Sequence, residues 1–195
     1  MSSMITTEVI KQLREETGVS IMQCKKALEE TAGDVEKAKI ILRKESAVIA
    51  AKKSGRSLGA GVAAAYVHAG GSVVGAVVLS SETDFVAKNE NFAKLAYDIA
   101  MHVAAMNPQF ISKDEVTEED IAAAKSVFEK EAADKPEEMR EKIVQGKINS
   151  FLNEKVLLDQ PFVKDGSKTI QTLIDEAVQK FGEKIQISQF ERLAV

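Results

Sequence analysis

The chain has little of what enzymes use to build a reactive centre. Two histidines, His68 and His102, and one cysteine, Cys24, stand among 195 residues. No His/Cys group has metal-ligand spacing, which argues against a zinc site. A single cysteine excludes an intrachain disulfide and suits a reducing cytoplasm. There is no Gly-x-x-x-x-Gly-Lys-Ser/Thr loop, so the chain is not expected to hold a nucleotide or any other cofactor itself. No nucleophile pairs with a base, and acidic neighbours such as Glu118-Glu119 fall at a helix start, where they complement the helix dipole. Basic residues are not in excess. The net charge of −4 argues against DNA or RNA as the main partner, because phosphate binding needs a basic surface. No apolar run approaches the roughly 20 residues of a membrane helix, and the first residues lack the basic, apolar, small-residue order of a signal peptide. What remains is 45 % apolar and 29 % charged, an ordinary soluble composition with length for one sizeable domain and a small one.

Residues 1–4 are read as loose. Thr6 or Thr7 can cap a first helix with Val9, Ile10 and Leu13 inward, ending at Thr17-Gly18. Ser20 to Gln23 fits a capping box for a second helix. Gly33-Asp34 ends it and caps a third, with Val35, Ala38, Ile41 and Leu42 inward, running on toward Ala51. Short helices are marginal alone, so the three are expected to pack as a bundle over residues 1–55. Lys52 to Ser57 is polar and basic and reads as a linker. Gly59-Ala60-Gly61 resembles a dinucleotide fingerprint but is followed by a strand, which excludes that reading.

The remainder, residues 56–195, reads as a core with a small sheet and packed helices. Val62–His68 and Val73–Ser80 make a hairpin around Gly70-Gly71, with Gly75 a bulge or a close-packing point. The period then changes, and Phe92, Leu95, Ala96, Ile99, Val103 and Met106 mark a helix ending before Asn107-Pro108. Between strand and helix lies Glu82 to Asn89. Thr83 is placed to cap and Asp84 to face the dipole. Phe85 beside an acid at an exposed corner either folds into the core or reaches into a partner. His102 reads as a half-buried helical histidine with one hydrogen bond. From Thr117 to about residue 157, broken at Asp134-Lys135-Pro136, the spacing gives an αα-hairpin with Ile121, Ala124, Phe128, Met139, Ile143, Phe151, Leu152 and Val156 as its apolar positions. Thr169 and Gly182 bound a last helix, and Ile185 and Ile187 begin a third strand that Phe190 leaves out of step. The fold class is α+β.

Glu82-Thr83-Asp84-Phe85-Val86-Ala87-Lys88 resembles the signature of the elongation factor Ts family, guanine-nucleotide exchange factors for elongation factor Tu. Leu13 to Gly18 running on to Lys25-Lys26-Ala27-Leu28 resembles its N-terminal signature, and Gln160-Pro161-Phe162-Val163 and Phe190-Glu191-Arg192 extend the likeness across the chain. The resemblance implies a ubiquitin-associated-type (UBA-like) domain that grips the GTPase through Lys11, Arg14, Ile21 and Met22. It implies that the tip Thr83, Asp84, Phe85 and Val86 dislodges magnesium and drives out GDP without any covalent step. It places His102 at the partner interface, implies a homodimer, and allows a projecting hairpin beside an ordinary packed one. Three positions depart from the family pattern: Gln23 stands for an acid, Val78 for a glutamate and Ser80 for an asparagine. A docking adapter without exchange activity is the alternative, and it would not need the Thr83–Val86 tip.

Overall fold

The computed structural model describes residues 5–195. The expectation for residues 1–4 lies outside them. In chain order the elements are α1 (Thr7–Thr17), α2 (Ile21–Glu30), α3 (Val35–Lys53), β1 (Ala60–Val67), β2 (Val73–Ser81), α4 (Asp84–Ala87), α5 (Glu90–Met106), α6 (Glu118–Glu131), α7 (Glu137–Lys155), β3 (Pro161–Phe162), β4 (Asp165–Thr169), α8 (Ile170–Phe181) and β5 (Ile185–Ala194). The class is α+β, with one sheet in the order β1-β2-β5 and a small antiparallel pair β3-β4.

The first three helices start where the sequence places their caps. Thr6 accepts the Val9 N–H at 3.3 Å, and Asp34 accepts that of Lys37 at 3.1 Å. Ser20 accepts the Gln23 N–H at 3.3 Å and donates its hydroxyl to Gln23 Oε1 at 2.8 Å. The expected box at α2 therefore closes between two side chains. Leu13, Val19, Cys24, Ala27, Leu28, Ala38 and Leu42 form the bundle core, with Val9, Ile10, Val35 and Ile41 against it.

Contacts divide the chain into two units. The first is Met1–Val62, Leu79–Lys94 and Thr172–Gln186; the second is Ala63–Val78, Leu95–Gln171 and Ile187–Val195. In the first unit Phe92 is buried, edge-on to Phe181 with ring centroids 5.8 Å apart. The basic stretch read as a linker begins inside α3, which takes in Lys52 and Lys53, and it is held here at several points. Lys53 Nζ donates to the Gly182 carbonyl at 2.8 Å, and Arg56 pairs with Glu82 at 3.1 Å.

In the second unit Gly75 is a close-packing point. A Cβ there would lie 2.2 Å from the Ala100 carbonyl oxygen and 2.7 Å from the Ala104 nitrogen, so α5 crosses β2 where only hydrogen fits. The αα-hairpin of α6 and α7 opens with a capping box between Thr117 and Asp120. Pro136 sits one residue before α7, at its cap. The hairpin has a small core of Ala132, Val144 and Ile148, with Phe128, Ile143 and Leu152 against it. Met139, expected inside, is 53 % exposed, because α7 turns the Val144–Ile148 face inward. β5 does not stop at Phe190. Its inward set switches from Ile185 and Ile187 to Phe190 and Arg192, a change of phase within one strand.

Candidate partner-binding site

The stretch from Ser81 to Lys88 is a turn with one helical turn at its tip. Ser81 is buried and donates its hydroxyl to the Thr83 carbonyl at 2.9 Å. Ser81 is therefore a bracing side chain at this corner. Thr83 occupies the cap position of α4 with extended backbone (φ −126°, ψ 157°) but makes no side-chain cap bond. Its hydroxyl is engaged elsewhere: Thr83 Oγ1 donates to Glu183 Oε1 at 2.6 Å, and the Thr83 N–H donates to Glu183 Oε2 at 3.0 Å. The reverse link is made next door, where the Lys184 N–H donates to Glu82 Oε1 at 2.5 Å. That bond, followed by the Arg56 guanidinium, holds the Glu82 carboxyl below its usual range.

Beyond this brace α4 presents alternate faces. Val86 is 3 % exposed and anchors the turn in the core, whereas Phe85 is 81 % exposed. The core reading of Phe85 therefore fails, and Val86 takes that place. Asp84 is exposed and paired with Lys88 at 2.6 Å, which keeps its carboxyl charged to lower pH than usual. The helix stops at Ala87 and a new one starts at Glu90, with Asn89 Oδ1 accepting the Asn91 N–H at 2.9 Å. An exposed phenylalanine beside an exposed carboxylate, on a turn fixed from below and from the side, is built for contact. A free chain gains nothing by holding an aromatic ring in water.

The N-terminal candidates lie on the same unit. Lys11 and Arg14, three residues apart, share a face of α1, and both are exposed. Ile21 and Met22 open α2 at 49 % and 77 % exposure. Exposed cations and uncovered apolar side chains are residue types found at partner interfaces.

His102 is different. It is fully buried, against the half-buried expectation, and has two hydrogen bonds where one was expected. Its Nδ1 accepts the Val163 N–H at 3.2 Å, so the proton sits on Nε2, which donates to Gln160 Oε1 at 2.8 Å. Gln160 in turn donates to the Glu154 carbonyl at 2.6 Å. Burial lowers the His102 pKa, the Gln160 bond opposing it. No surface of His102 is offered to a partner; the ring holds the Gln160-Pro161-Phe162-Val163 segment from inside.

The residue that sequence reasoning missed is Glu183. It lies 100 positions from Thr83, and no local pattern announces the meeting. Among the described residues no group of three or more His, Cys, Asp or Glu side chains is placed to hold a metal ion. No helix there is long and apolar enough to cross a membrane.

A family model described as Elongation factor TS matches residues 3–195. Elongation factor Ts of Syntrophomonas wolfei is 46 % identical over 98 % of this chain and 91 % of its own length. That of Acetivibrio thermocellus is 47 % identical over 97 % of this chain and 89 % of its own length. That of Thermotoga neapolitana is 44 % identical, with 98 % and 97 % covered. With both signature stretches in place and the likeness running from end to end, this chain belongs to the elongation factor Ts family.

Proposed function

We propose that this chain is the guanine-nucleotide exchange factor for elongation factor Tu and works by binding alone. The observation that carries the reading is Phe85, 81 % exposed on a turn braced from two sides. The three-helix domain, residues 1–55, docks on the GTPase through Lys11, Arg14, Ile21 and Met22. The core then brings Asp84 and Phe85 to the nucleotide side. Phe85 wedges between partner elements that hold magnesium and the β-phosphate. Losing magnesium removes the largest local charge opposing the phosphates, and GDP leaves. His102 serves from inside by holding the segment around Val163.

The energetics are those of linkage. If the factor weakens GDP binding, GDP weakens the factor's binding by the same ratio. Burying one phenylalanine contributes roughly 1.5–3 kcal/mol, or one to two decades of affinity at about 1.4 kcal/mol each. The N-terminal patch supplies the rest. Mixing the chain with elongation factor Tu loaded with fluorescent GDP tests this: release should accelerate with factor concentration and saturate. Binding without acceleration would make the chain an adapter.

The working state is a homodimer in this proposal. Ala63, Ala65, Ala76, Val78 and Phe190 line a shallow apolar groove on the sheet, and Val67, on the same face of β1 as Ala63 and Ala65, is 60 % exposed. Light scattering returning a monomer mass at about tens of micromolar would remove the dimer and leave the exchange reading intact.

A further inference from the structure

We infer that Glu183 is a positioning residue for the exchange tip, holding Thr83, and through it Asp84 and Phe85, in the orientation that engages the partner. The inference rests on the exchange reading above.

The geometry is reciprocal. The carboxylate of Glu183 takes both the N–H and the hydroxyl of Thr83, while the neighbouring Lys184 N–H goes to the carboxylate of Glu82. Two short segments thus bond each other's backbone through each other's side chains. Such a double link fixes rotation as well as distance, because neither segment can turn without breaking one of the pair. Gly182 makes the approach possible. It ends α8 with φ of 74°, a left-handed conformation that turns the chain back so that Glu183 faces the tip. The link continues to the end of α3. Lys53 holds the Gly182 carbonyl, Lys184 Nζ holds the Arg56 carbonyl at 3.0 Å, and Arg56 holds Glu82. The end of the docking bundle, the tip and the loop after α8 therefore meet at one crossing.

Thr83 shows what this arrangement costs and gains. At a helix start its hydroxyl would ordinarily accept a helix N–H. Here it donates to Glu183 instead, and α4 goes without a side-chain cap. A four-residue helix has no stability of its own, so its orientation must come from outside. From below it comes from Val86 and Ser81; from the side it comes from Glu183.

The test measures saturating GDP release and half-saturating factor concentration for Glu183→Ala, Glu183→Gln and Thr83→Val, with thermal melts. Glu183→Ala should lower the saturating rate about tenfold, the size expected for losing hydrogen bonds to a charged acceptor, with little change in half-saturation. Glu183→Gln should restore most of the rate. Its carbonyl can accept the Thr83 N–H, and its amide can donate to a reversed hydroxyl. Thr83→Val, losing one bond of two, should fall between. Combining Glu183→Ala with Phe85→Ala should cost clearly less than the product of the two single losses, because the first acts in large part through the second. Additive losses, or a Glu183→Ala variant as fast as the wild type, would overturn the inference. If Glu183→Ala does not fold, Thr83→Val and its double variant with Phe85→Ala carry the same comparison. Failure of the exchange reading looks different: the wild-type chain itself would not speed release.

Discussion

Phe85 and Val86 are neighbours in the chain and opposites in the fold, the first 81 % exposed and the second 3 %. Within one helical turn, a side chain available to a partner sits next to the one that fixes it in place. The two should fail in different assays. Phe85→Ala is expected to lower the saturating GDP-release rate about ten- to a hundredfold while leaving the melting temperature unchanged. Val86→Ala is expected to cost about 1–3 kcal/mol of stability by leaving a void. Stopped-flow release and urea melts on both variants check the pair. A Phe85→Ala protein that melts well below wild type yet releases GDP at full rate would contradict it.

Arg14 is expected to act on encounter alone. It is exposed on α1 and contacts the GTPase, in the proposal, equally with GDP in or out. Arg14→Ala should raise the half-saturating factor concentration and leave the saturating rate nearly intact. A fall in the saturating rate at unchanged half-saturation would place Arg14 in the release step instead.

His102 predicts an acid-side loss of stability. Burial lowers its folded pKa below the unfolded value near 6.5, so the unfolded chain binds the proton first. Its contribution is complete above that value and is lost as pH falls through it toward the lower folded pKa. Protonation would also turn Nδ1 from acceptor to donor against the Val163 N–H. Denaturant melts from about pH 8 to pH 5 should show a steeper decline for wild type than for His102→Gln. Equal slopes would mean that the imidazole does not titrate against folding.

Much of the fold was legible because its signals are local. Thr6, Ser20, Asp34 and Thr117 begin helices as their side chains predict, and Gly75 marks a close crossing. The β3-β4 pair escaped notice because Pro161–Phe162 is too short to carry a period. The inward face of α7 was misread at Met139, since a long helix with apolar residues on several sides does not say which side is covered. At the site, residue types pointed to the Thr83–Val86 corner but not to which side chain faces out. Ser81 braces the turn from below, and Glu183 arrives from 100 residues away. Those facts depend on tertiary meeting, which no window of sequence contains.

The αα-hairpin carries a consequence of a different kind. Its two ends are stitched together at the root: the Gln109 and Phe110 N–H groups both donate to the Lys155 carbonyl, at 2.8 and 3.1 Å, and the Leu157 N–H donates to the Phe110 carbonyl at 2.8 Å. With a core of its own above that seam, the excursion behaves as a detachable cassette. Closing a loop costs only slowly more as the loop lengthens. Insertions and deletions between these stitches are thus expected to disturb little below them, and the chain's overall length is a poor measure of how much of it the proposed exchange uses.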